Sequence, residues 1–283
     1  MVSRSTDSSA ISRRAYRNDL EIQLFGLQRS GNHAIVAWML QQYDMPVVFL
    51  NNVKHFTDPF INFRFAEIAN AIVLRQPKND VAARKIEDLR EAEKDLLVIS
   101  FENLELRALA DPGRRVSREE WVGTSRQIRK ILLLRDFYNW IASRVRLFER
   151  RGQLSHNLGD MVLPHIHLWL IYAREYSGQT DFLGTQDVVR LAFNNWCGSE
   201  TYRAYLLAEL GLPHKDNSRS IIPDVGGGSS FDERRISAEA MPLLDRWKIL
   251  REEKYRPVLT VINKFRTEID TLNLQIFGLP APL

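Results

Sequence analysis

The chain is poor in several features, and each shortage excludes something. It has one cysteine, Cys197, in 283 residues, so no internal disulfide can form and no zinc site can be built on paired cysteines. A lone thiol accords with a reducing compartment. No uncharged apolar run approaches the roughly 18 residues that a membrane-crossing helix needs. Charge of one sign is also scarce: 39 Lys and Arg against 35 Asp and Glu leave a formal net charge of +4. That balance favours an anionic ligand and is too weak to argue for nucleic acid. No repeat is visible. The segment Met1 to Asp19 is rich in Ser, Arg and Asp and lacks the apolar core of a signal peptide. It reads as a solvated tail, which leaves residues 20–283 as one domain, expected in the cytoplasm.

What is present is enough apolar sequence, 45%, to bury one substantial core. Short apolar runs alternate with helical patterns. Ile22 to Phe25, Pro46 to Leu50, Leu96 to Ser100, Ile131 to Leu134 and Asp187 to Phe193 read as strands. Ala34 to Tyr43, Val81 to Lys94, Trp140 to Arg150, Ser199 to Leu210, Ser237 to Leu250 and Tyr255 to Leu272 read as helices. The strands are continuously apolar rather than alternating, which predicts a sheet covered on both faces. The fold class is therefore α/β: a parallel sheet flanked by helices, of the P-loop-like nucleotide-binding kind. Ligands in such sheets sit beyond the carboxyl ends of the strands.

Three strand-following segments have the right chemistry for phosphate. Gly26 to His33 runs from the first strand into a helix, where loop N–H groups and the helix dipole favour an anion. Arg29 adds a permanent charge with a planar fork. The P-loop pattern G-x-x-x-x-G-K-[ST] is not met, because Asn32 stands where lysine must be and His33 where the metal-binding hydroxyl belongs. After the fourth strand, Arg135 is followed eight residues later by Ser143. Late in the chain come Gly226, Gly227, Gly228, Ser229, Ser230 and Phe231, then Arg234 and Arg235. Each has a plainer reading: a β–α turn, a surface ion pair of Arg135 with Asp136 beside a solvated Ser143, and a flexible linker.

Taken in this order, the three segments resemble the sulfotransferases that use 3′-phosphoadenosine-5′-phosphosulfate (PAPS). That family's first loop reads P-[KR]-S-G-T-T/S, and Gln28-Arg29-Ser30-Gly31-Asn32-His33 keeps the basic residue, serine and glycine. Arginine in the basic place is similar to the carbohydrate and tyrosine branches. The resemblance implies that Arg29, Ser30, Gly31, Asn32 and His33 grip the 5′-phosphosulfate and that Arg135 and Ser143 bind the 3′-phosphate. It also implies that Gly227, Gly228, Ser229 and Ser230 fold over that phosphate and that Phe193 approaches the adenine. The family needs no metal for sulfuryl transfer. Asn32 and His33 depart from its hydroxyl residues, and the late loop lacks its usual Arg-Lys-Gly.

The resemblance further implies a base for the acceptor hydroxyl and a cation on the leaving phosphate, the latter being Arg29. Glu102 follows the third strand, where cytosolic members of the family carry histidine, and is the first choice of base. His55 is the second. The implied acceptor is a carbohydrate or glycolipid hydroxyl. Two other readings stand beside this one. One is a metal-dependent P-loop nucleotide phosphotransferase, with Asp136 on the metal side; the other is a nucleotide-binding module without catalysis. His165 and His167, two residues apart, face different ways on a helix and cannot share a metal. Arg144, Arg146, Arg150 and Arg151 read as a solvated helix face that would also suit an acidic acceptor.

Overall fold

The computed structural model describes residues 16–44, 46–68, 72–75, 80–110, 118–153, 157–219 and 243–283. Seven strands form one sheet: β1 (Asn18–Gly26), β2 (Val47–Asn51), β3 (Phe65–Ile68), β4 (Ile72–Arg75), β5 (Lys94–Glu102), β6 (Ser125–Leu134) and β7 (Val188–Ala192). Their order is β4-β3-β2-β5-β1-β6-β7. The five strands from β2 to β7 in that order run parallel, and β3 and β4 are antiparallel to their neighbours. The five expected strands are thus the parallel ones. The β3–β4 hairpin was not anticipated.

Alternation along β1 explains why both faces are covered. Leu20, Ile22 and Leu24 point into one core with Val98, Leu133 and the helices α1 (Asn32–Leu40) and α7 (Glu200–Leu210). Phe25 points the other way, into a second core with Leu97, Leu132 and the helices α4 (Phe137–Arg150), α5 (Leu158–Tyr176), α8 (Arg256–Asn263) and α9 (Arg266–Phe277). α2 (Asp80–Glu91) and α3 (Glu119–Val122) add Ile86 and Val122 to the second core, and α6 (Phe193–Gly198) adds Phe193 and Trp196 to the first. α7 begins where Ser199 accepts from the Tyr202 N–H and ends at Gly211, whose φ of 71° suits a left-handed stop.

Two helix expectations need correction. The single helix over 255–272 is two, broken at Lys264–Phe265. Of the helix expected over 237–250, residues 237–242 lie outside the described residues, and Arg246–Arg251 is a 3-10 turn. The segment 152–178 is mostly helical. α5 fills most of it and buries Val162, Ile166, Trp169, Leu170 and Tyr172 in the core. β1 begins at Asn18, and the tail 1–15 lies outside the described residues. Among the described residues no helix is long and apolar enough to cross a membrane.

Candidate anion site at the strand ends

Register brings the candidate groups together. Gly26 ends β1 directly opposite Glu102 at the end of β5 and Leu133 near the end of β6. Leu134 of β6 pairs with Ala192 of β7, so Arg135 and Phe193 leave the sheet side by side. The loop from Gly26 to α1 turns on two positive φ angles, 76° at Arg29 and 100° at Gly31. The glycine is required: a Cβ at Gly31 would lie 2.1 Å from the Phe193 ring. At Gly26 a Cβ would meet Asn32 Oδ1 at 2.2 Å.

Neighbouring elements hold this loop by its backbone. Asn103 Oδ1 accepts from the Gln28 N–H at 2.8 Å, and Trp140 Nε1 donates to the Gln28 carbonyl at 3.0 Å. Arg144 Nη1 donates to Gln28 Oε1, and Arg135 Nη1 to the Arg29 carbonyl at 3.5 Å. Asn32 Nδ2 donates to the Leu27 carbonyl and to Glu102 Oε1, both at 3.1 Å. Asn32, expected to touch phosphate, therefore has its amide turned inward to lock loop and strand. No side chain caps α1, so its first N–H groups keep the donors that a helix cannot satisfy internally. Ser30 is fully buried and its Oγ has no partner. A buried hydroxyl beside an uncapped helix start is suited to an anion.

The β6 end supplies more positive charge. Arg135 is 1% exposed; its guanidinium lies 5.2 Å from the Phe193 centroid, and Nη2 donates to the Leu243 carbonyl. Asp136 does not form the expected surface ion pair. Its carboxylate caps α4, accepting from the Asn139 N–H at 3.0 Å, from Asn139 Nδ2 and from Asn194 Nδ2 at 2.9 Å. Ser143 is not solvated; it is buried and accepts from Arg246 Nη1 at 3.2 Å. Burial lowers the pKa of Arg135 and pushes Arg29 down to about 10, where Arg135 and Arg150 reinforce the effect and Glu102 opposes it. A guanidinium's ordinary pKa lies far above neutrality, so Arg29 keeps its charge at neutral pH.

The two base candidates sit differently. Glu102 Oε1 lies 4.0 Å from His33 Nε2, and His33 stacks on Phe65 at 5.8 Å. Burial lowers the pKa of His33, Glu102 partly offsetting it. His55 is boxed by aromatics, 4.0 Å from Phe56, 4.9 Å from Phe101 and 6.4 Å from Phe25 between centroids. Burial pushes it down to about 4, and its Nδ1 has no partner.

Comparison with known proteins adds fold-level likeness. No family model matches the chain, and no curated protein does. Mouse sulfotransferase SULT7A1 complexed with PAP is similar over 91% of this chain and 85% of its own, at 13% identity and a TM-score of 0.46. The sulfotransferase domain of the Synechococcus PCC 7002 olefin synthase is similar over 88% and 95%, at 13% identity and a TM-score of 0.46. A sulfotransferase from Alicyclobacillus acidocaldarius is similar over 94% and 97%, at 15% identity and a TM-score of 0.44. Likeness this distant leaves the chemistry to the residues themselves.

Those residues gather as follows. Arg29, Ser30, Gly31, Asn32, His33, Glu102, Arg135, Ser143 and Phe193 lie at the carboxyl ends of the parallel strands or in the helices that follow, and His55 packs against Phe25, Phe56 and Phe101. Gly227, Gly228, Ser229 and Ser230 lie outside the described residues. Arg246 and Asn103 were missed. Arg246 meets Ser143 across 103 residues, and no local pattern announces that. The arginine row on α4 is not wholly solvated either: Arg144 is 5% exposed.

Proposed function

We propose that the chain transfers a sulfuryl group from PAPS to a hydroxyl acceptor. The observation that carries this reading is the pair of anion cradles at adjoining strand ends. One is the loop of Arg29 and Ser30 with an uncapped helix start; the other is Arg135 with Ser143 and Arg246. Two such cradles suit a nucleotide with phosphate at both its 5′ and 3′ positions. Phe193, buried against Gly31 and Arg135, joins the two cradles and is the residue we place nearest the adenine.

In that reading the acceptor oxygen attacks sulfur in line while the S–O bond to the 5′-phosphate breaks. Arg29 and the loop N–H groups stabilise the charge that develops on the leaving phosphate. Glu102 takes the acceptor proton, since it faces the loop at Gly26 and Asn32 fixes one of its oxygens. His55 is the weaker candidate, enclosed by Phe25, Phe56 and Phe101. The phosphotransferase alternative loses its carboxylate, because Asp136 is engaged by Asn139 and Asn194. A carbohydrate or glycolipid acceptor and a cytoplasmic location complete the proposal, the first resting on the Arg-Ser-Gly likeness.

Calorimetric titration with 3′-phosphoadenosine 5′-phosphate (PAP), without added metal, tests it. Micromolar binding is expected, much weaker for adenosine 5′-phosphate and largely lost in Arg135→Ala. Indifference to the 3′-phosphate, or binding of magnesium-ATP alone, would overturn it.

A further inference from the structure

We propose that Asn103 and Arg144 are positioning residues that act through Gln28, holding the Arg29 loop in its anion-binding shape before any ligand arrives. This rests on the sulfuryl-transfer reading, in which that loop meets the 5′-phosphate of the donor, and adds the residues that shape it. The starting point is a turn built from unfavourable residues. The Ser30 N–H donates to the Leu27 carbonyl at 3.0 Å, closing a four-residue turn, and Arg29 at its third position has a φ of 76°. Gln28, at the second position, does not share that positive φ. This is the type II pattern, which favours proline second and glycine third. Neither stands in its place here, and a side chain as large as arginine is strained in the left-handed region. The turn's own residues do not favour its shape.

Contacts from both sides make up the difference, and they meet on Gln28. On one side Asn103, just past the end of β5, accepts from the Gln28 N–H at 2.8 Å, while its own N–H donates to the Gly26 carbonyl at 3.0 Å. Asn103 has a φ of 57°, which asparagine tolerates better than most residues. On the other side α4 supplies Trp140 Nε1 to the Gln28 carbonyl at 3.0 Å and Arg144 Nη1 to Gln28 Oε1. The peptides on both sides of Gln28 are thus fixed, the second being the one from which Arg29 departs. Arg144 is itself held. It is 5% exposed, its Nη2 lies 3.0 Å from His165 Nε2, and its guanidinium lies 5.3 Å from the Phe148 centroid. Arginine has no acceptor, so His165 Nε2 is the bare nitrogen of a neutral ring. Burial and the Arg144 charge push that ring down to about 4, in keeping with this role. His165, Arg144 and Gln28 therefore link α5 through α4 to the loop. A loop shaped in advance loses less binding free energy to ordering.

The test reads what the 5′-phosphate adds to binding: the Kd of adenosine 3′-phosphate divided by that of PAP, from calorimetry on the whole protein. In wild type PAP is expected to bind at least about tenfold more tightly, as charge-assisted hydrogen bonds to one phosphate would give. Asn103→Gly keeps the left-handed backbone and removes the acceptor, and Arg144→Met keeps volume and removes the donor. Each is expected to cut the ratio to about threefold or less, with adenosine 3′-phosphate binding as in wild type, because the loop alone has lost its shape. Asn103 is half-buried, so its variant guards the test against a folding defect in the other. Gln28→Pro added to Asn103→Gly supplies the residue that a type II turn prefers and needs no acceptor for its nitrogen, so most of the ratio should return. A ratio unchanged in Asn103→Gly, an equal loss for both nucleotides in that variant, or no rescue by proline would each overturn the inference. Wild-type protein that bound PAP no more tightly than adenosine 5′-phosphate would instead take down the sulfuryl-transfer reading, and this inference with it.

Discussion

The two ends of the central strands treat buried charge in opposite ways. Toward the amino ends, the Glu21 side chain is fully buried and well supplied: Arg118 donates to Oε2, Ser125 Oγ to Oε2 at 2.8 Å, and Gln23 Nε2 to Oε1 at 2.9 Å. Lys94, 1% exposed, donates to the carbonyls of Arg90 and Ala92 at 3.1 and 2.6 Å. Toward the carboxyl ends, buried arginines meet carbonyls, an amide and a neutral imidazole, and Ser30 Oγ meets nothing. The Glu21 carboxylate has its cation within the chain. At the other end the buried arginines have neutral partners, an arrangement that would suit a bound anion, as a binding site sacrifices stability for readiness.

The sharpest way to break this contrast is to remove a partner at the self-sufficient end. Arg118→Ala leaves the Glu21 carboxylate buried without its cation, and a loss of about 3 kcal/mol is expected in urea unfolding. PAP affinity should be little changed, because the proposed site lies at the other end of the strands. A variant that unfolded no more easily than wild type would show that Glu21 is satisfied by Ser125 and Gln23 alone.

The matching change at the other end should invert the pattern. Arg135→Met keeps volume, removes a desolvated cation and leaves stability within about 1 kcal/mol of wild type. PAP binding should fall by about 100-fold, near 2.7 kcal/mol. Calorimetry and urea unfolding on one sample separate the two effects. Large destabilisation with intact PAP binding would make Arg135 a structural strut.

Legibility in the sequence follows the same division. The parallel strands were legible because strands buried on both faces write themselves as continuous apolar runs, as in Leu96-Leu97-Val98-Ile99. The β3–β4 hairpin was not, since Phe65-Ala66-Glu67-Ile68 is short and breaks its apolar run with a glutamate. In the site, Gly26, Arg29 and Gly31 were legible because backbone geometry and charge are local properties. Arg144 was read as solvated because its neighbours Arg146, Arg150 and Arg151 look like an exposed row. Its burial is made by Gln28 and His165, 116 and 21 residues away. Asn32 gave a similar lesson: its place in the loop suggested phosphate, whereas Glu102 and Leu27 draw its amide inward.

Acid should expose the carboxyl-end region first. Burial pushes both His55 and His165 down to about 4 from 6.5. Between those values the unfolded chain binds protons that the native state refuses, so stability is full above pH 6.5 and falls as pH drops toward 4. Each group contributes about 1–2 kcal/mol once solvent screening is allowed for. His55→Phe should remove roughly half of that slope, measured as unfolding free energy against pH. An unchanged slope would mean that His55 titrates normally in the folded protein.

The smallest effect belongs to the amino-end surface and calibrates the rest. Arg126 donates to both carboxylate oxygens of Asp19, at 2.6 and 2.9 Å. Both side chains are far more exposed than Glu21, at 50% and 40% against 0%. Water and salt then do most of what the partner does, and Arg126→Gln should leave urea unfolding close to that of wild type. Set beside the loss expected for Arg118→Ala, that outcome would show that burial rather than pairing makes the amino-end charges matter. A loss from Arg126→Gln as large as from Arg118→Ala would instead put the strength of this end in its ion pairs wherever they lie.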